Sequence, residues 1–230
     1  MAHHAYLVTG ESEQGIAAAV MHAEELGVTR DNNPDLMVLR HGLFSVDDAR
    51  TISDRATRAA MNGDQKVIII SALRLFHEAQ NALLKIFEEP PAGTTLILVV
   101  PSDGMLLPTL RSRLLPLPNQ TGTSTLSVET EAFLSANGAA REAMITKLVD
   151  RSKSDTDEVK QAARNEAVRL VEGLMKASYD TRSREKNAET QAALTGFLDD
   201  LSRFLPILHE RSAPLKLIFE HILLVIPKRL

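Results

Sequence analysis

The sequence contains no cysteine among its 230 residues, and it lacks both long apolar runs and an excess of basic residues. Without cysteine, disulfides and thiolate metal sites are excluded, which suits a reducing compartment. No segment approaches the roughly 18 unbroken apolar residues of a membrane span, and no basic stretch precedes an apolar one at the N-terminus. We therefore expect a cytoplasmic protein without membrane contact.

The charge distribution argues against an extended surface for nucleic acid. The net charge of −4 arises in the first 120 residues, which hold 10 basic and 14 acidic residues, whereas the remainder holds 16 of each. A dedicated nucleic-acid binder usually carries a basic face. Any contact with DNA is expected to be local or made by partner subunits. The adjacent His3 and His4 receive no role, and no metal site is predicted.

In the first 120 residues, strand-like runs alternate with helical patterns. Such alternation predicts βαβ units and a parallel sheet covered by helices on both faces. The nearly continuous apolar runs at 67–70 and 96–100 fit central strands. The strands are predicted at 6–9, 36–40, 66–70, 95–100 and 114–117, and the helices at 15–26, 46–61 and 78–88. Their ends carry the expected signals: Gly27, a capping box of Ser45 and Asp48, Asn62-Gly63 and Pro90-Pro91.

The second half has helical spacing throughout. Residues 119–127 are rich in Gln, Thr, Gly and Ser, which predicts a linker. An α/β domain at 1–120 is therefore expected before a helical domain at 121–230, with Pro206 as a kink or break. The last pattern is apolar nearly all round, so burial in its own bundle is favoured, and it is also the best candidate for a subunit interface. The helices are predicted at 132–136, 141–149, 158–177, 188–209 and 215–226.

Gly10 and Gly15 form the frame G-x-x-x-x-G between the first strand and helix. In a phosphate loop this frame continues with Lys, which neutralises phosphate oxygens, and Ser or Thr, which holds Mg²⁺. Ile16 and Ala17 stand there instead. The frame alone is a weak signal, and taken alone it is better explained by an ordinary glycine turn before a helix.

A second position tests the same site. In a nucleoside triphosphatase, a buried strand after the loop ends in Asp-Glu, which serves Mg²⁺ and the attacking water. Here the run at 67–70 is followed by Ser71 and Ala72. Two losses at the expected places predict a degenerate nucleotide site that does not hydrolyse ATP and holds no cofactor.

An ordered set of short motifs lies between residues 66 and 113: A-Q-N-A-L-L-K at 79–85, E-E-P-P at 88–91, L-L-P-T-L at 106–110 and S-R at 112–113. Each motif alone has an ordinary structural explanation, such as an amphipathic helix or a helix stop. Their joint order closely resembles the bacterial clamp-loader family of AAA+ proteins, and within it the delta-prime subunits of DNA polymerase III.

The resemblance implies an AAA+ P-loop-type parallel sheet of order 5-1-4-3-2, followed by an all-α domain like the collar that joins five subunits in a ring. Delta-prime subunits resemble rigid stators with defective nucleotide sites, and Val100 stands where active relatives carry a polar sensor residue. The region after residue 120 is short, which implies a reduced lid, a minimal collar or both. The four-cysteine zinc module of many family members is absent here.

The same resemblance gives Arg113 a role. In the family, the Arg of a Ser-Arg-Cys motif reaches the γ-phosphate held by a neighbouring subunit, a role suited to a permanent charge and a planar fork. Ser112 is expected to support the loop, and Leu114 replaces the motif's cysteine. The alternative is that Arg113 forms only a surface salt bridge. Glu78, Glu88 and Glu89 are interpreted as solvent-facing or interface charges.

The implied partners are the clamp-loader ATPase subunits (gamma/tau) and delta, the sliding clamp, and primed DNA through the complex, with ATP and Mg²⁺ held by neighbouring subunits. Two other functions stay open from the sequence. One is a scaffold on an inactive AAA+ fold outside replication, and the other is an NTPase with an unusual phosphate loop.

Overall fold

The computed structural model describes residues 3–30, 32–118, 126–210, 212–228 and 230. The chain divides into two compact units, Met1–Thr125 and Leu126–Leu230. Most of the predicted linker, residues 119–125, lies outside the described residues. The domain boundary near residue 120 therefore stays a prediction.

The first unit is built on a five-stranded sheet in the order β2-β3-β4-β1-β5, which confirms the predicted order 5-1-4-3-2. Every strand pair is parallel. All seven residues of β4 are buried, as expected of a central strand covered on both faces. The strands are β1 (Ala5–Thr9), β2 (Leu36–Phe44), β3 (Lys66–Leu75), β4 (Thr94–Val100) and β5 (Leu115–Pro116).

Helices provide the crossovers that parallel strands require. The capping box that opens α2 is confirmed, because Asp48 N donates to Ser45 Oγ and Ser45 N donates to Asp48 Oδ2. Burial works against the charge of Asp48, but the two Ser45 donors and nearby His41 hold the pKa of Asp48 below its ordinary value. The helices are α1 (Ser12–Glu25), α2 (Val46–Thr57), α3 (His77–Glu88) and α4 (Pro108–Arg111), with a 3₁₀ turn at Asp103–Met105 before α4.

Two strands extend beyond their predicted ends. β2 and β3 continue to Phe44 and Leu75 and stay paired with each other. The prediction that the strand ends before Ser71-Ala72 is therefore wrong, since both residues lie inside β3. After the apolar run, buried Leu73 and Leu75 alternate with a less buried position, and this alternation maintains the strand.

The second helix is shorter than its predicted range of 46–61. It ends at Thr57, where the buried ammonium of Lys66 donates to the carbonyl oxygens of Arg55 (3.0 Å), Ala56 (2.8 Å) and Arg58. Burial, with a contribution from Arg58 and against the pull of Asp35, lowers the pKa of Lys66. A side chain from β3 thus satisfies carbonyl groups that the sequence pattern assigned to a continuing helix.

The second unit consists, in its described part, of five helices. Three are longer than predicted, because apolar spacing marks only their buried stripes and not their polar end turns. Of the kink or break predicted at Pro206, the break is wrong: α8 continues to Leu208, since Leu205 and Leu208 on both sides of the proline are buried, and the kink stays a prediction. The helices are α5 (Val128–Ser135), α6 (Gly138–Ser152), α7 (Asp157–Arg184), α8 (Ala188–Leu208) and α9 (Leu215–Val225).

The last helix, α9, is buried on one face only. Its buried residues are Leu215, Ile218, Phe219 and Ile222, at the spacing of one helical stripe. Leu217 is 67% exposed and Leu224 is 85% exposed. The favoured burial in its own bundle is therefore confirmed for one face and wrong for the opposite face, which the subunit-interface alternative would cover.

Among the described helices of both units, none combines the length and the apolar character needed to cross a bilayer.

Candidate functional site

The turn between β1 and α1 is shorter than its glycine spacing suggests. Only Gly10 and Glu11 separate Thr9 from the start of α1 at Ser12. Gly10 has φ of +136°, a conformation open to glycine, and its N–H donates to Val100 O at 3.0 Å. Three of the four residues between the glycines thus form the first turn of α1 and not a wide loop.

The second glycine of the frame lies inside α1, where it packs against the sheet. A Cβ at Gly15 would lie 2.5 Å from Val99 Cγ1 and 2.9 Å from Val8 Cγ1. These distances are far below ordinary van der Waals contact, so only glycine lets α1 approach β1 and β4 this closely. Close helix packing therefore explains Gly15 without a phosphate.

The two positions after Gly15 point in different directions. Ile16 is 5% exposed and belongs to the apolar core between α1 and the sheet. Ala17 is exposed. Neither side chain contributes charge or a metal ligand to the turn.

The structure brings Ser71, on β3, to the β1–α1 turn. Its hydroxyl lies 2.6 Å from that of Ser12, and Ser71 is 3% exposed. Val100, at the end of β4, is also buried, and its carbonyl oxygen accepts from Gly10 N in the turn. The described residues contain no group of three His, Cys, Asp or Glu side chains close enough to hold a metal ion. In β3 and at the carboxyl end of β4, Ser71 and Val100 thus offer a hydroxyl and an apolar side chain.

Arg113 lies at the opposite end of the strands, near the amino end of β1. It precedes β5, whose Leu115 is paired with Tyr6 near the start of β1, whereas Gly10 follows the end of β1. The five residues of β1 span about 16 Å at the rise of an extended strand. Arg113 and the β1–α1 turn are therefore separated by the length of a strand.

Around Arg113 the structure forms a small polar cluster, which we call the arginine cluster: Arg113, Glu88, Thr109 and Ser112. Nε of Arg113 donates to Glu88 Oε1 at 2.5 Å, and Nη2 forms an ion pair with the same carboxylate. Nη1 donates to the carbonyl oxygen of Thr109 and to Ser112 Oγ at 3.4 Å. The surface salt bridge that the sequence left as an alternative is thus present, and Glu88 is its acidic member.

One residue that supports this region was not singled out from the sequence. The amide of Gln80, which is fully buried, donates to Leu75 O (3.3 Å) and Met105 O (3.2 Å) and accepts from Leu107 N (2.7 Å). It thereby joins α3 to the end of β3 and to the residue that precedes α4. A polar residue beside the core positions of an amphipathic helix was the available signal.

The fold defines the class of protein. A parallel five-stranded sheet of order 5-1-4-3-2 with helical crossovers, followed by a helical unit, is that of an AAA+ P-loop-type domain. Residues 1–121 match the family model described as DNA polymerase III, delta subunit. This match covers more than half of the chain, and the chain belongs to that family.

Three curated relatives show where the similarity lies. A DNA polymerase III subunit delta' of Buchnera aphidicola is 34% identical over 99 residues, which are 40% of this chain and 30% of the relative. A subunit delta' of Escherichia coli is 40% identical over 92 residues, 37% of this chain and 28% of the relative. A subunit gamma/tau of Mycobacterium bovis is 39% identical over 80 residues, 34% of this chain and 14% of the relative. The matched segments thus span less than a third of each relative.

Proposed function

We propose that the protein is a noncatalytic, delta-prime-like subunit of a bacterial clamp loader. It acts as a stator that helps to load the sliding clamp on primed DNA, and it lends Arg113 to the ATP site of a neighbouring subunit. ATP and Mg²⁺ are held by neighbouring gamma/tau subunits. The observation that carries the proposal is that Arg113 and the β1–α1 turn lie at opposite ends of the strands of one sheet.

Because the two features lie at opposite ends of the strands, Arg113 cannot reach a phosphate bound at the β1–α1 turn of its own chain. At about 16 Å the distance exceeds the reach of a side chain. When subunits with the same fold pack head to tail, the surface at one end of the strands in one subunit faces the surface at the other end in the next subunit. In such a ring Arg113 meets the phosphate loop of a neighbour, where its permanent charge stabilises the phosphoryl group in transfer.

The β1–α1 turn supports a noncatalytic role. Ile16 is part of the core, and Ser71 and Val100 offer no carboxylate or polar sensor. Glu13, which would repel polyphosphate, lies close by on the first turn of α1, where its carboxylate accepts from Arg40 Nε at 3.1 Å. An NTPase with an unusual loop is therefore disfavoured.

The helical unit supplies a surface for assembly, since Leu217 and Leu224 lie seven residues apart on the exposed face of α9. We assign this face to contacts with other subunits of the ring. Replacement of both leucines with Gln is expected to weaken co-purification with partner subunits without lowering thermal stability. The matched control is Ile222→Gln, which alters the buried face and lowers stability instead.

The proposal is tested by co-purification with the gamma/tau and delta subunits of the same source, followed by ATPase assays with clamp and primed DNA. Arg113→Ala is expected to leave the complex intact and to lower its stimulated turnover; loss of such a finger costs on the order of 10³ to 10⁵ in rate at the single affected site in well-studied GTPases. Arg111→Ala, which removes the nearby Arg111–Asp103 pair, is the control. An unchanged rate in Arg113→Ala would remove the finger, and the absence of a complex would favour a scaffold outside replication.

A further inference from the structure

We infer that Glu88 regulates the availability of Arg113. The Glu88 carboxylate holds the Arg113 guanidinium on its own subunit, and ATP hydrolysis at the neighbouring subunit requires that Arg113 be released from Glu88. This inference rests on the proposed function, since it concerns the same arginine. Glu88 is thus a positioning residue that acts through Arg113 and does not itself meet the phosphate.

The geometry of the pair carries the inference. The Nε and Nη2 edge of a guanidinium is one of the edges that grip two oxygens at once. In Arg113 this edge is occupied by Glu88, with Nε at 2.5 Å from Oε1 and Nη2 paired to the same oxygen. Nη1 is also engaged, by Thr109 O and Ser112 Oγ. A phosphate that approaches Arg113 therefore competes with the Glu88 carboxylate for the same donors.

The chain anchors the two partners through different elements. Glu88 is the last residue of α3, which ends where Pro90 and Pro91 follow, and Arg113 follows α4. A shift of α4 relative to α3 would open the pair without unfolding either helix. The buried amide of Gln80 connects α3 to the residue before α4, so it limits this shift.

The pair is well suited to be reversible. The Arg113 side chain is 32% exposed and that of Glu88 is 44% exposed, so water and a competing anion reach both. Ion pairs of this kind are weak enough to exchange, whereas fully buried pairs are not. Glu88 also has a matched neighbour, since Glu89 is an exposed carboxylate one residue later.

The first test measures the Glu88–Arg113 ion pair in the isolated chain. In ¹⁵N-labelled protein the Arg113 Nε signal, assigned by its loss in Arg113→Lys, is expected to show a restrained side chain with slow Hε exchange. Glu88→Gln should speed the exchange by about two- to five-fold, the range that a half-exposed ion pair supports, and Glu89→Gln should not. An Arg113 signal as mobile in wild type as in Glu88→Gln would overturn the inference.

The second test uses the assembled complex. Glu88→Gln is expected to raise the ATPase rate without DNA by about two- to five-fold and to leave the fully stimulated rate near wild type. Glu88→Ala should behave alike, and thermal unfolding of both variants verifies the fold. If Arg113→Ala lowers turnover but neither Glu88 variant raises the unstimulated rate, the arginine-finger role of Arg113 is supported and its regulation by Glu88 is overturned. If Arg113→Ala has no effect on turnover, the proposed role of Arg113 is overturned, and the inference about Glu88 is overturned with it.

Discussion

The hydroxyl of Ser12 lies 2.6 Å from the hydroxyl of Ser71. This contact joins the first turn of α1 to the middle of β3, beside the β1–α1 turn. Because α1 already begins at Ser12, only Gly10 and Glu11 form the turn between β1 and α1. We therefore expect this short turn, as well as the absence of lysine at position 16, to weigh against phosphate binding.

Restoring the sequence of the phosphate loop should accordingly not restore nucleotide binding. In the double variant Ile16→Lys and Ala17→Thr, calorimetry is expected to detect no ATP binding at about millimolar concentration, while stability falls by roughly 3 kcal/mol because Ile16 is buried. Ala17→Thr alone, at an exposed position in α1, should cost no more than about 0.7 kcal/mol, the difference in helix propensity. Micromolar ATP binding by the double variant would show that the turn retains a phosphate cradle.

Gly15→Ala tests the packing of α1 on the sheet. The added Cβ would press on Val99 and Val8, so we expect the free energy of unfolding to fall by about 1–3 kcal/mol, measured by urea denaturation. Gly196→Ala in α8, where a Cβ meets nothing within 4 Å, is the matched control and should raise stability by about 0.5–1 kcal/mol. Gly15→Ala combined with Val99→Ala should show favourable coupling, and strict additivity would argue against the contact.

Gln80→Leu tests the amide that connects α3 to the residue before α4. The change keeps the volume but leaves Met105 O and Leu107 N without their buried partner, at a cost of about 1–3 kcal/mol for each unsatisfied group. Chemical denaturation of Asn81→Leu, an exposed neighbour, provides the comparison. Equal stability of the two variants would mean that the Gln80 amide contributes little.

Lys66 gives a prediction about pH. Burial lowers its pKa in the folded chain, so between that value and the unfolded value of 10.5 the unfolded chain binds the extra proton. The stability of the wild type relative to Lys66→Met should therefore rise as pH increases through this window. At neutral pH, Lys66→Met is expected to lose about 1–3 kcal/mol, because the carbonyl groups at the end of α2 lose their donor.

Urea denaturation of both proteins from pH 7 to 10.5 measures this difference directly. Lys85→Met, which changes an exposed lysine on α3, should show no such trend. A difference that shrinks with rising pH would mean that the ammonium of Lys66 is favoured, and not penalised, by its buried position.

Much of the fold could be predicted because periodicity records burial directly. The apolar runs of β3 and β4 and the signals at Ser45 and Gly27 predicted their elements, whereas the strand order was implied by the resemblance to the clamp-loader family. The end of α2 could not be predicted, because it depends on Lys66, a residue that is distant in sequence and lies on another element. Which face of α9 is exposed could not be predicted for a similar reason: apolar residues on both faces do not reveal which face packs.

The sequence by itself determined the class of fold, and it predicted the loss of phosphate-binding chemistry at Ile16 and Ala17 and a role for Arg113, since these depend on which side chains are present and in what order. Only the tertiary structure decided that Gly15 serves packing, that Gln80 links α3 to the residue before α4, and that Glu88 holds Arg113. Each of these depends on distances between residues that are far apart in the chain, and those distances are set by how the helices pack on the sheet.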